Sequence, residues 1–133
     1  MEISRTIAAI LRLIYTGPRP NIELLDKLLE HPTTIEAALW EMVKQEQYPV
    51  VASEGWFALA LLSREPRGAN RVASMLDRKL LEKVFEEETG RDRDNAGVLV
   101  VELKKNSSVD VVDLVNLFLK RVDIAGADLT KIE

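Results

Sequence analysis

The sequence predicts an all-α fold, a stack of helical hairpins in one domain, on three observations. Apolar residues recur at helical spacing along most of the chain. The polar segments between them carry residues that end and start helices, with Gly, Pro, Asn and Asp at the junctions. Three successive segments also recur in the same order, which points to stacked units.

Ile3, Ile7, Ile10 and Ile14 lie on one face of an N-terminal helix. Thr16-Gly17-Pro18 stops it: Gly17 is expected in the left-handed cap conformation, and Pro18 cannot continue a helix. Asn21 can cap the next helix, NIELLDKLLEHP, whose Leu24, Leu25, Leu28 and Leu29 form a stripe that Pro32 ends. Thr33 and Glu36 then stand three apart as a capping box, each side chain serving a free backbone N–H of the other residue. The helix they open, TTIEAALWEMVKQEQ, is expected to bury Ile35, Leu39, Met42 and Trp40.

Trp56–Leu62 is an uninterrupted apolar run that suits either the second strand of a hairpin or a buried helix. After it, RGANRVASM reads as a short helix with Pro66 in the preceding turn or in its first turn. DRKLLEKVFEEETG opens on an Asp77 cap, carries Leu80, Leu81, Val84 and Phe85, and stops at Gly90. RDRDNAG reads as a turn. NAGVLVVELKKN suits a strand by its valines and a buried helix by its length. SVDVVDLVNLFLKRVD is apolar almost all round and predicts a core helix, followed by a tail, IAGADLTKIE, that is a short turn or a frayed end.

Recurrence decides the ambiguous run. LLDKLLE at 24–30 matches LLEKVFE at 80–86, Leu24 falling on Leu80 at an offset of 56. IEAALWEMVKQ and DNAGVLVVELKK follow, then VVASEGWFALALLSRE and VDVVDLVNLFLKRVD, where Val50 falls on Val109 at an offset of 59. The counterpart of the apolar run is a helix, so the run is read as a helix too. LIYTGPR and LLSREPR obey a common pattern, each passing from apolar residues through a turn to Pro-Arg. The units drawn from these matches are roughly 1–20, 21–75 and 76–133 of a single domain, 1–133.

The span ALALLSREPRGANRVASMLDRKLLEKVFEEETGRDRDNAGVLVVELKKN resembles armadillo-type repeat sequence. In that family a third helix rich in Ala and Leu leads through a polar Asn-Arg turn to a short first helix and a Leu-rich second one. EHPTTIEAALWEMVKQ is similar to a family turn running into a third helix. The resemblance covers about residues 1–122 and implies a right-handed stack, an armadillo- or HEAT-like alpha-solenoid segment. Two departures stand out: the 56–59 offset exceeds the roughly 40–47 of such repeats, and Met75-Leu76-Asp77 lacks the usual glycine.

Composition bounds the function. The chain is long enough for one domain, and 47% apolar with 30% charged residues is that of an ordinary soluble globular chain. Without cysteine there is no disulfide framework, thiolate chemistry or Cys-type zinc site. The N-terminus, interrupted by Arg5 and Arg12, reads as an amphipathic helix and not a signal peptide. No run reaches membrane-spanning length, so a cytoplasmic location is expected. A net charge of −4 argues against nucleic acid, although basic residues slightly outnumber acidic ones from Ser63 to Arg93.

No catalytic constellation emerges. His31 reads as a helix-end residue, there is no nucleophile elbow, HExxH, P-loop or GxGxxG, and Glu86-Glu87-Glu88 reads as a solvated helix end. Asn106-Ser107-Ser108 matches a glycosylation acceptor but accompanies no secretory signal. No enzyme activity and no cofactor is expected. Arg64, Arg67 and Arg71, three and four apart, are candidates for a basic ridge suited to carboxylate or phosphate, or for pairing with Glu65, Asp77 and other local acids. The armadillo resemblance implies that third-helix residues line a concave groove, which nominates Trp40 with Lys44 and Asn116 with Lys120. Each of these pairs shares a helical face. Trp40 also fits a core position, and Asn116 would need a polar partner if buried.

The expected function is a non-enzymatic protein-interaction or scaffold module with a protein partner and exposed repeat ends that allow homo-oligomers. The resemblance would admit an adaptor, chaperone or GTPase-regulator protein. The alternative is a winged-helix DNA-binding regulator, with three N-terminal helices and a two-stranded wing over YPVVASEGWFALA turning at Ser53-Glu54-Gly55. Glu36, Glu41 and Glu46 against Lys44 on its recognition helix speak against it.

Overall fold

A computed structural model describes residues 2–30, 35–45, 47–87 and 90–124. Eight helices occupy these residues: α1 (Glu2–Ile14), α2 (Ile22–Glu30), α3 (Ile35–Val43), α4 (Pro49–Leu62), α5 (Pro66–Ser74), α6 (Arg78–Glu87), α7 (Arg91–Asn106) and α8 (Val112–Ile124). No strand occurs among the described residues, so the all-α prediction holds. The wing of the alternative reading is not formed, because residues 49–62 are one helix. Pro49 at its start fixes a helical φ, and the small residues Ala52, Gly55, Ala58 and Ala60 let neighbouring helices close in.

The local signals act largely as their chemistry dictates. Asn21 Oδ1 accepts the Leu24 N–H at 3.1 Å, and Asp77 Oδ1 accepts that of Leu80 at 3.0 Å, each relieving a free N–H in a first turn. Glu65 caps α5 with its carboxylate on the N–H groups of Arg67 and Gly68. Gly90 adopts φ +79, the left-handed position that a glycine between two helices serves without strain. Gly17 does not: its φ is not positive, and α1 ends with the Asn21 N–H returning to the Ile14 carbonyl at 2.8 Å. His31, Thr33 of the expected capping box, Glu88 and the tail at 125–133 lie outside the described residues.

Two element assignments need correction. RDRDNAG is no turn but the first two turns of α7, where Asp92 and Asp94 suit the positive end of the helix dipole and Ala96 and Gly97 are buried. This also settles NAGVLVVELKKN as helix. α8 starts at Val112, whose N–H the Asp110 carboxylate accepts, and is not the fully buried core helix expected: Leu114, Val115 and Phe118 are buried while the apolar Val112 and Leu119 are exposed.

α3, α4, α7 and α8 form a row in which each helix packs on the next. α1 spans α3 and α4, α5 spans α4 and α7, and α6 spans α7 and α8. Cross-links fix directions within this arrangement. Arg5 meets Glu54 and Arg64 meets Tyr15, so α1 and α4 run the same way. Ser53 bonds Asp92, and Asn106 Nδ2 donates to the carbonyls of Ser63 and Arg64, so α4 and α7 also run the same way. Three successive long helices are thus parallel, with α4 in the middle.

Helix lengths recur as well. α2, α3 and α4 have 9, 9 and 14 residues; α5, α6 and α7 have 9, 10 and 16. α5 begins 44 residues after α2 (Pro66 against Ile22), α6 43 after α3 (Arg78 against Ile35) and α7 42 after α4 (Arg91 against Pro49). This period differs from the 56–59 of the sequence matches. Those matches pair α2 with α6 and α4 with α8, one element out of phase with the recurrence of lengths.

The core is aliphatic with two aromatic pairs. Trp40 meets Trp56 edge to face at 6.0 Å, and Phe85 lies 5.5 Å from Phe118. Close approach governs the α4–α5 junction, where a Cβ on Gly68 would lie 2.0 Å from the Leu62 carbonyl oxygen.

Candidate functional site

The parallel helices α1, α4 and α7 line a cleft of about 520 Å³. It is lined by Arg12 from α1, by Pro49, Val50, Ser53, Glu54 and Phe57 from α4, and by Arg91 and Asn95 from α7. Spacing explains why these side chains share it. Val50, Ser53, Glu54 and Phe57 follow one helical stripe of α4, and Arg91 and Asn95 one stripe of α7. A second concavity along α1, lined by Arg5, Ala8, Ala9, Arg12 and Glu54, adjoins the first through the shared Arg12 and Glu54.

Its electrostatics are uneven. The Arg5 Nε and Nη2 donate to the two Glu54 oxygens at 3.2 and 3.1 Å; that hydrogen bonding, with the attraction of the carboxylate, raises the Arg5 pKa. Asp92 accepts the Ser53 hydroxyl. The Arg12 guanidinium lies 4.8 Å from the centroid of the Phe57 ring, a cation–π contact. Neither Arg12 nor Arg91 forms an ion pair with a carboxylate among the described residues. Val50 is 68% exposed and Phe57 36%, so the cleft pairs apolar surface with two uncommitted cations.

The residues singled out from sequence are distributed differently. Arg71 donates to Glu36 at 3.1 Å and to the Leu29 carbonyl at 2.8 Å, a half-buried clasp joining α5 to α2 and α3. Arg67 pairs with Asp26 and Glu65, whose hydrogen bonds raise its pKa. Arg64 is exposed and sits 5.4 Å over the Tyr15 ring. The expected partner Glu65 is thus confirmed for Arg67, while Arg71 takes Glu36 and not Asp77.

Trp40 is only 2% exposed and its Nε1–H donates to the Val72 carbonyl at 3.3 Å, so it takes the core position that its sequence also fits. Lys44 is exposed beside Glu41 at 3.5 Å. Trp40 and Lys44 do border one cleft of about 400 Å³ with Met75 to Lys79. Asn116 and Lys120 are exposed on α8, and Asn116 therefore needs no buried partner.

Sequence reasoning passed over Arg12, Phe57, Arg91 and Asn95. Arg12 stood out only as a charge interrupting an apolar stretch, and Arg91 fell in the segment read as a turn. A period of 42 aligns α4 with α7 and lays Pro49 and Ser53 on Arg91 and Asn95, whereas α1 begins 47 residues before α4, Glu2 against Pro49.

No helix among the described residues is long and apolar enough to cross a membrane, and no group of three or more His, Asp or Glu there is placed to hold a metal ion. Compared with known families, curated proteins and solved structures, the chain matches none.

Proposed function

We propose that this chain is a protein-interaction module built on the plan of a short armadillo-like array, with no catalytic role. The observation that carries the reading is the recurrence of a short, a short and a long helix at 42–44 residues, within the roughly 40–47 of such repeats. Parallel stacking of the long helices supports it, because each unit buries its apolar faces against the next and leaves a continuous lateral surface. That surface runs over α1, α4 and α7 and carries the cleft at Arg12 and Phe57. The arginines of α5 then serve the stack itself, two of the three being engaged by Asp26, Glu65 and Glu36. Binding energy on such a surface comes from a few anchors, an aromatic and arginines foremost.

Cross-linking in native lysate followed by mass spectrometry tests the reading. A protein partner should cross-link to Lys and acidic residues flanking the α1–α4–α7 surface, and a Phe57→Ala/Arg12→Glu variant should lose it. Lys104→Glu/Lys105→Glu, exposed on α7 outside the cleft, should keep it. Cross-links confined to other faces, or a partner equally retained by both variants, would end this assignment. Retention on duplex DNA that falls steeply with salt would favour the regulator reading instead.

A further inference from the structure

We propose that the cleft between α1, α4 and α7 takes an extended acidic segment of a partner protein, with carboxylates on Arg12 and Arg91 and an apolar side chain on Val50 and Phe57. The inference rests on the interaction-module reading and adds the chemistry of the ligand.

Charge complementarity carries it. A chain of net charge −4 has ample carboxylates to neutralise its own cations, and Arg5, Arg67, Arg71 and Arg78 all hold one. Arg12 and Arg91 line one concavity and hold none among the described residues. The Arg12 Cζ lies 4.8 Å over the Phe57 ring, a contact that holds the guanidinium in the cleft without using a carboxylate of the chain. A carboxylate matches that planar donor set and can be held by two parallel bonds. Asn95, beside Arg91 in the lining, adds an amide for the ligand backbone.

The opposing charge in the same lining is Glu54, and Asp92 adjoins the lining through its bond from the Ser53 hydroxyl. Glu54 is neutralised by Arg5, and Asp92 is engaged by Ser53. They disfavour a ligand that is negative along its whole length, such as a nucleic-acid backbone. They tolerate one whose charges alternate with neutral residues. The shape agrees: the cleft continues into the concavity along α1 through Arg12 and Glu54, so the path is long and open and suits an extended chain. Arg12 lies over one side of the Phe57 ring and no second aromatic lines the cleft, so successive bases have no row of rings to stack on, while a single apolar side chain can still lie against Val50 and Phe57.

The test uses the full chain and fluorescence anisotropy with three short labelled peptides, one alternating Glu with Leu, one Gln with Leu and one Lys with Leu. The Glu peptide should bind, with affinity falling as salt rises. Arg12→Glu/Arg91→Glu should weaken it by at least about tenfold, the size expected for removing charge pairs at an interface. Lys104→Glu/Lys105→Glu should leave it within about twofold, since exposed charges away from a site contribute little. Circular dichroism of each variant confirms that the helices are retained.

Equal binding of the Gln peptide, preference for the Lys peptide, or indifference to Arg12→Glu/Arg91→Glu overturns the proposal. So does displacement of the Glu peptide by inorganic phosphate or single-stranded DNA at equal charge concentration. A lysate partner cross-linked to this face while the Glu peptide fails removes the acidic chemistry alone. Loss of both removes the interaction-module reading as well.

Discussion

Arg71 illustrates how a side chain that looks like surface charge in the sequence becomes an architectural tie. Its partner Glu36 has a side chain only 9% exposed and lies 35 residues away, so no local spacing announces the pair. Removing the cation leaves Glu36 charged in a nearly dry site and frees the Leu29 carbonyl at the end of α2. Breaking a fully buried pair costs about 3–5 kcal/mol; with Arg71 partly in water, Arg71→Ala should cost about 2–3 kcal/mol. Urea unfolding would show it as a lower midpoint at unchanged slope. Glu36→Gln/Arg71→Met should recover most of the loss, because the double change leaves no stranded charge. Trp40 teaches the converse: its apolar body predicted burial, but the Val72 carbonyl that satisfies its N–H belongs to another helix and is invisible locally.

Tyr15 gives a residue-level prediction in pH. Burial, and next the charge of Glu65, raise its phenol pKa, with Arg64 acting the other way and Glu102 adding a little. A raised pKa means that the folded state holds the proton more firmly. The associated stability is therefore fully present below the ordinary value of about 10 and is lost as pH rises through the folded value. Ultraviolet titration of the folded chain should show one of its two tyrosines ionising late, and Tyr15→Phe should flatten the alkaline fall in stability.

Among whole elements, legibility followed the range of the signal. Caps at Asn21 and Asp77 and the proline start at Pro66 are encoded within four residues of their effect, and they stand where the sequence puts them. The start of α7 was misread because Arg-Asp-Arg-Asp resembles a turn in composition, while burial of Ala96 and Gly97 against neighbouring helices decides for helix. The repeat phase was misread because leucine stripes match between any two amphipathic helices, whereas helix length and order are what recur.

Glycine shows the same contrast and can be tested. Gly17 was read as a required cap, yet a Cβ there would approach nothing closer than 3.6 Å, so Gly17→Ala should change stability by no more than about 0.5 kcal/mol. Gly68 sits in a helix, where alanine is intrinsically better, yet its Cβ would overlap the Leu62 carbonyl oxygen. Gly68→Ala should cost about 1–3 kcal/mol or more by forcing α5 away from the end of α4. Thermal melts of the two variants separate these outcomes directly.

Across the molecule, stability should be graded by how many faces each helix buries. α4 packs on α1, α3, α5 and α7 and buries nine of its fourteen residues, Trp56 and Leu59 among them. α2 packs chiefly on α1, buries Leu25 and Leu28, and is tied to α5 through exposed Arg67 and the Arg71 clasp. In a stack whose members contact mainly neighbours, an edge helix can open without dismantling the rest, whereas a central one opens only with the whole. Native-state hydrogen exchange should therefore place the amides of α4 at the global unfolding free energy and those of α2 well below it. Arg71→Ala should accelerate exchange in α2 more than in α8, since it removes the tie at Leu29 and leaves the Arg121 bonds to the Phe85 and Glu86 carbonyls intact. Equal protection of α2 and α4, moving together with denaturant, would mean one closed cooperative core, and the graded stack would have to be given up.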